Sequence, residues 1–582
     1  MTSSAAAVPA RASSGVTALA GRGWKAPLFV HALALLALLV LGLALTAPRV
    51  AYMSDEAAAL VQARQLEAGA GWYYRYPLAS IDSEDAARPF VRADAGTKGV
   101  APYAKHPLYP VVLAGAIRVG GAAGVAALGL AAAVAAAVVA ALLTRRLDPR
   151  LDRVALWLVG IGSPLLFDSY LVLAHGLGAA VAAAAVLAAV VALESTTSSA
   201  RRGVALVAAL VGLAVAAMLR TEAVFLGPSL AMAVAILLLA KRVPPVRGLA
   251  LIVVGFSGAA AGWLIDHVVA GVIVGTAYAG VPNAAPPSWI AGRIQAAQTT
   301  WFAPSQTVGG IGDLLLVVGL LLLTVGAVLI RRGDRRQGLL IGFLVGATAC
   351  YVGRAVVGSP GAIPGLALAF PAGWFLLWLV GRRVLEGVRL PMMAGVAVFS
   401  CAGVLLTEYA SGGGIEWGGR YFAFVLPVAV PVLLLGAVGM VERQRPDVRT
   451  AVFGSLTVIT LVVALLAVQS IRHTHIITAQ LLDGISQQSQ IAGPSGTLDR
   501  PVVISTSRLL PQIDSRDFDQ FDWVVPDLVN LRRYSDRLVG LGVRRAVLVS
   551  SDPTNELADM PGWQIVSRSV GLHQEVVVVE HG

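Results

Sequence analysis

The sequence predicts an all-α polytopic membrane protein of about thirteen spanning helices, ending in a small α/β domain. Three observations carry this expectation. Of the 582 residues, 57% are hydrophobic and only 13% are charged, about half the charged share of a soluble domain and too little polar surface to cover a water-soluble globule. Apolar runs of about twenty residues recur along the chain, each long enough to cross a hydrocarbon layer of about 30 Å as a helix. Arg and Lys gather in short clusters at every second gap between these runs, which is the pattern of cytoplasmic loops.

The segment before Leu28 carries Arg11, Arg22 and Lys25 and is expected in the cytoplasm as a tail over residues 1–27. The apolar run 28–47 exceeds the 7–15 residues of a signal-peptide core, and Pro48 directly after it disfavours cleavage, so it reads as a retained first span. Residues 48–105 form a long polar outer loop with no spanning run. Residues 106–119 are apolar but too short to cross, and read as a helix lying in the outer interface, which extends the loop region to residue 120. Run 121–143 re-enters and meets Arg145, Arg146, Arg150 and Arg153. Later basic clusters fall at Arg201–Arg202, Lys241–Arg247, Arg331–Arg336, Arg382–Arg389 and Arg443–Arg449. They predict spans beginning near residues 28, 121, 154, 175, 204, 222, 249, 313, 338, 361, 392, 421 and 450, with the N-terminus inside and the C-terminus outside. The membrane module is expected over 28–470. Beyond it the composition turns charged, with a linker at 494–496 and short strands at 501–506, 544–550 and 575–580, so 471–582 should form an extracytoplasmic domain.

The net charge of +11 does not point to nucleic acid, because the basic residues are dispersed between apolar runs and form no compact basic domain with interleaved aromatics. Cys350 and Cys401 each sit inside an apolar run and read as small buried hydrophobes. There is no internal repeat. The Ala-rich stretch 122–141 fits a closely packed helix. With no Asn-x-Ser/Thr sequon and a composition rich in Ala, Val and Gly, the expected location is a bacterial plasma membrane.

Ionisable residues inside membrane helices are costly and mark functional sites by default. Asp168, His175, Arg220, Glu222, Asp266, His267, Arg354, Glu408 and Arg420 all fall near outer helix ends, with His31 the exception at an inner end. This bias suggests a polar cavity open to the outside under the first loop. Just past the first span stand Asp55 and Glu56. They could supply a general base, or Ser54 or Asp55 could simply cap a helix beginning at Glu56. Further on come Lys105-His106-Pro107-Leu108-Tyr109-Pro110 and Glu416-Trp417-Gly418-Gly419-Arg420-Tyr421. The latter sets two glycines beside an Arg, a pairing that allows close backbone approach and a bidentate grip on phosphate, although a flexible turn with an interfacial aromatic anchor would look the same.

Taken in this order, the motifs resemble the GT-C superfamily of polytopic membrane glycosyltransferases, which includes protein O-mannosyltransferases, aminoarabinose transferases and mycobacterial arabinosyl- and mannosyltransferases. The resemblance covers roughly residues 28–440. It implies a GT-C-like fold, a sugar donor linked to a polyprenyl phosphate, a glycan, lipid or protein acceptor bound outside, and transfer with inversion. It assigns Asp55 as the base, with Glu56 beside it. Cations suit the point where phosphate charge develops. The substrate-binding set expected is therefore Lys105, His106, Tyr109, Asp168, His175, Arg220, Glu222, Arg354, Glu416, Arg420 and Tyr421. Some relatives use a divalent metal, for which Asp55, Asp168 and Glu222 could supply oxygens, but no tight ligand spacing supports one. The rival expectations are a transporter or flippase of a lipid-linked saccharide, which predicts midplane charges and inverted repeats, and a non-catalytic assembly protein, for which Asp55 would be dispensable.

Overall fold

A computed structural model describes residues 26–582 apart from 75, 83–85, 91–100, 104, 275–287, 306–308, 334–335, 411, 413–416 and 571–573. The apolar run after Pro27 forms α1 (Leu28–Leu45), and the outer loop opens with α2 (Ser54–Glu67). Helix α3 (Leu108–Arg145) is two helices joined at Gly121, whose φ of 57° and ψ of −139° break the helical path. A Cβ on Gly124 would lie 2.1 Å from the Ala116 carbonyl, so the short first limb, the expected interfacial helix, turns back tightly on the second. Then follow α4 (Asp152–Gly160), α5 (Leu165–Asp168), α6 (Ala174–Leu193), α7 (Ser199–Leu219), a 3-10 turn (Thr221–Phe225), α8 (Leu226–Leu239) and α9 (Pro245–Val274). After α10 (Trp289–Ala297) come α11 (Ile311–Arg332), α12 (Gln337–Val357), α13 (Leu366–Ala369), α14 (Pro371–Leu379), α15 (Arg389–Thr407), a second 3-10 turn (Arg420–Val425), α16 (Leu426–Glu442) and α17 (Pro446–Ala492).

Among the described residues, eleven helices are long and apolar enough to cross a membrane. The chain is a multi-pass membrane protein. Two of the thirteen expected spans, those near 154 and 361, are interrupted. One breaks at Gly160–Pro164, where the Ser163 hydroxyl donates to the Val159 carbonyl and accepts from the Leu165 amide. The other breaks between Phe370 and Pro371. Both broken segments still traverse the helical layer. Arg146 after α3 pairs with Glu194 after α6 at 2.5 Å, so the chain between them must return to the opposite face through α4 and α5. Likewise Arg383 after α14 approaches Asp148 at 3.9 Å, and Arg389 approaches Glu194 at 3.5 Å. These basic loops therefore share one face of the bundle.

Helix α17 leaves the opposite face and continues without a break for 47 residues. It leads into β1 (Val502–Ser505), β2 (Asp522–Val524), α18 (Leu531–Gly540), β3 (Arg545–Ser550), α19 (Pro553–Ala558), β4 (Trp563–Val570) and β5 (Glu575–His581). The sheet order is β2-β1-β3-β5-β4, parallel across β2-β1-β3 and antiparallel across β3-β5-β4. It docks on the first outer loop. The Val525 amide donates to the Ala87 carbonyl at 2.8 Å and Arg537 to that of Ile81 at 2.7 Å, while the Tyr534 hydroxyl donates to the buried Asp82 carboxylate. Tyr74 and Phe90 both pack on Phe518. Loop and sheet thus share a second hydrophobic core, distinct from that of the bundle.

Candidate active site

The first turn of α2 separates two adjacent carboxylates. Successive helical residues point about 100° apart. Glu56 turns inward and is 3% exposed. One of its oxygens accepts the Tyr52 amide at 2.6 Å, and the other accepts the Val172 amide at 2.7 Å, from the chain just before α6. Glu56, reaching back from the third helical position, ties down this helix start, a role expected of Ser54 or Asp55. Neither of those caps it. Met53 occupies the cap position with no side-chain bond. Burial pushes the Glu56 carboxyl up to about 7 despite the backbone amides that favour its ionised form.

Asp55 turns the other way, towards cations. Lys105 Nζ lies 2.6 Å from Oδ1 and Arg420 Nη2 lies 3.6 Å from Oδ2. Burial alone would push Asp55 up, but Lys105 and then Arg420 outweigh it and hold the carboxyl down at about 2. Burial also lowers Lys105, with Asp55 opposing that shift. Arg420 follows Gly418 and Gly419, with φ of 61° and 59°. Their amides donate to the Ile363 and Pro364 carbonyls at 2.8 and 2.6 Å. This left-handed pair threads past Pro164 and Thr300 where side chains would clash, and so delivers Arg420 to the site.

The third cation, Arg220, caps α7 in extended conformation and grips Glu222 in bidentate fashion at 3.0 and 2.7 Å. Its stem lies over Gly178 on α6. One turn earlier, His175 is buried, and among the described residues neither ring nitrogen has a hydrogen-bond partner. The charges of Arg220, Arg420 and Lys105 all act on it. Tyr421 and Tyr103 lie within electrostatic reach of Arg220, and Tyr109 sits beside Tyr103 with ring centroids 6.4 Å apart. Asp55, Lys105, His175, Arg220, Glu222, Arg420, Tyr421 and Tyr109 therefore converge from five separate stretches of chain. Asp168 lines a small cleft beneath them with Tyr109 and Val172.

Two expected members, Arg354 and His106, are held by other partners. Arg354 donates to the Ser359 carbonyl at 2.8 Å at the end of α12, against Gly312 and Gly358. His106 presents neither nitrogen to the site, because Nδ1 meets Asp266 and Nε2 meets Thr221, each at 2.9 Å. Glu416 lies outside the described residues. Asp266 is one of the charges expected near outer helix ends but lies outside the expected substrate-binding set, and Thr221 is in neither group. Asp266 is visible in the sequence as a charge in an apolar run, but its partner is 160 residues away. Among the described residues, no three His, Cys, Asp or Glu side chains gather to hold a metal ion. Asp55 faces Lys105 and Arg420 and Glu222 faces Arg220, so these carboxylates do not fit a divalent cation.

No family model matches the chain, and no curated protein is similar to it in sequence. Solved structures are similar to it in shape. ArnT from Cupriavidus metallidurans in the apo state superposes with a TM-score of 0.53 at 14% identity, over 96% of this chain and 98% of that one. ArnT from the same organism bound to undecaprenyl phosphate gives 0.51 at 14% identity, over 94% and 97%. The chain therefore has the fold of these two ArnT structures. The polar cluster around Asp55 occupies the end of the bundle opposite the basic loops, beneath the first loop and the sheet.

Proposed function

We propose that the chain is a membrane glycosyltransferase that moves a sugar from a polyprenyl-phosphate donor to an acceptor, with inversion and with Asp55 as general base. The observation that carries this reading is a carboxylate set among three cations, Lys105, Arg420 and Arg220, at one end of an apolar bundle. ArnT has been crystallised with undecaprenyl phosphate, and a lipid phosphate is the ligand such a cluster would suit. The acceptor hydroxyl attacks the anomeric carbon as the bond from that carbon to the phosphate oxygen breaks. The hydroxyl proton passes to Asp55, and the polyprenyl phosphate leaves as an anion that needs no general acid.

A carboxyl held at about 2 is a poor base. The donor corrects this. Its phosphate competes for Lys105 and Arg420, the two groups that depress Asp55, so donor binding raises the basicity of Asp55 just when a base is needed. The unpartnered His175 is placed to donate to the same phosphate. The basic loops on the far face support a cytoplasmic N-terminus, with Asp55 and the sheet outside a bacterial plasma membrane. In this reading residues 28–470 are the membrane module and 471–582 the extracytoplasmic domain.

The test is transfer from a polyprenyl-phosphate sugar by purified protein in nanodiscs. Activity that Asp55→Asn abolishes while donor lipid still binds supports the reading. Unchanged activity in that variant refutes Asp55 as base, and wild-type protein that binds the donor without transferring sugar favours the flippase.

A further inference from the structure

His106 is almost fully buried and joins three elements through one ring. Its Nδ1 lies 2.9 Å from Asp266 Oδ2 on α9, and its Nε2 lies 2.9 Å from Thr221 Oγ1 at the start of the first 3-10 turn. The middle of this chain and its Thr221 end each stand one residue from a cation of the site. Lys105 precedes His106, and Arg220 precedes Thr221. An ionised carboxylate only accepts hydrogen bonds, so Asp266 requires a proton on Nδ1 and fixes the orientation of the ring. Among the described residues the second oxygen of Asp266 is buried without a hydrogen-bond partner, so nothing else there rewards a carboxylate at this depth. A charge this costly, spent on one imidazole between two site cations, indicates a role in the site.

We propose that Asp266 is a positioning residue which, through His106 and Thr221, sets the separation of Lys105 and Arg220 and so confers selectivity for a phosphate-bearing lipid over an uncharged one. It touches no substrate. The role rests on the donor-lipid reading given above. Loss of a supporting partner of this kind typically costs about 10–100-fold in affinity or activity.

The experiment measures binding of undecaprenyl phosphate and of undecaprenol, the uncharged alcohol, to the full-length protein in nanodiscs, for wild type, Asp266→Asn and Thr221→Val. A merely structural role would weaken both lipids alike, because they share the same apolar tail. Positioning predicts that the preference for phosphate over alcohol falls about tenfold in Asp266→Asn, with alcohol binding and thermal unfolding unchanged. Thr221→Val is nearly isosteric and should shift the preference the same way by a smaller factor. It decides the matter if Asp266→Asn fails to fold. Wild type that prefers phosphate, with both variants preferring it equally, overturns the positioning role alone. Wild type with no preference for phosphate overturns the donor reading and this role with it.

Discussion

On the basic face of the bundle, Arg150, Arg145 and Arg389 hold Asp148, Asp152 and Glu194 with side chains that stay 69%, 43% and 40% exposed. At the opposite end, the side chains of Arg220 and Arg420 are 12% and 10% exposed, and Asp55 faces two cations at once. The residue types are the same and the physics differs. On the basic face the carboxylates are mostly buried but each Arg keeps its other side in water, so these pairs stay partly hydrated and screened by salt. They staple loop to loop. The buried cluster loses hydration that its internal pairs only partly replace, and around Asp55 it carries an excess of positive charge. An arrangement of that kind is suited to receiving an anion.

Substitutions at the two ends should therefore differ in kind. Asp55→Asn keeps the shape and removes the proton acceptor, so the transfer rate should fall by about 10²–10⁴-fold with donor lipid still bound. Single-turnover kinetics with a lipid-linked sugar would measure this. Arg420→Ala should lower kcat/KM for the donor by about 10²-fold and weaken donor capture as well, because it grips phosphate before and during transfer. Lipid binding measured beside turnover separates the two effects. Glu56→Gln sets an amide against two backbone N–H groups that need acceptors. It should cost about 1–3 kcal/mol of stability, read as a lowered Tm, because a buried donor is left unsatisfied. A larger loss of turnover than of stability would move the base from Asp55 to Glu56.

The sheet offers a milder case. Burial raises the Asp522 carboxyl to about 6, with Arg500 opposing the shift. A folded-state value above the ordinary one means the contribution to stability is complete below the ordinary value near 3.8 and is lost as pH rises through 6. Asp522→Asn should raise Tm at pH 7.5 and leave it unchanged near pH 4. Smallest of all, Glu194→Gln on the basic face should cost less than about 1 kcal/mol and leave transfer unaffected. A strong loss of activity there would erase the contrast between the two ends.

Hydropathy and the alternation of basic loops made most of the bundle legible, because each depends only on residues near in sequence. Three of the strands, Val502–Ser505, Arg545–Ser550 and Glu575–His581, were readable from runs of β-branched residues, whereas the three-residue Asp522–Val524 and the polar Trp563–Val570 were not. The breaks at Ser163–Pro164 and at Pro371 were hidden, since an apolar sum counts residues and ignores where the backbone path fails. Within the site, Asp55 and Arg420 stood out as charges at outer helix ends. The task of Glu56 was hidden because its partner, Val172, is 116 residues away. Arg354 looked equivalent to Arg420 and faces other neighbours, a distinction that only helix packing makes. The docking of the sheet on the first loop left no local mark in either segment.

The single helix from Pro446 to Ala492 acts as a drive shaft. At 1.5 Å per residue it is about 70 Å long, and it is fixed at one station by the bond from His475 to the Thr46 carbonyl and at another by the pair from Asp483 to Arg516. Torsion applied at one station is delivered to the other. One residue inserted between His475 and Leu482 would turn the sheet by about 100° relative to the bilayer and lift it by only about 1.5 Å. The bonds from Val525 to Ala87 and from Arg537 to Ile81 would then lose their alignment with no residue of either contact altered. The angular phase of this shaft, more than its length, keeps the sheet seated on the loop that carries Asp55.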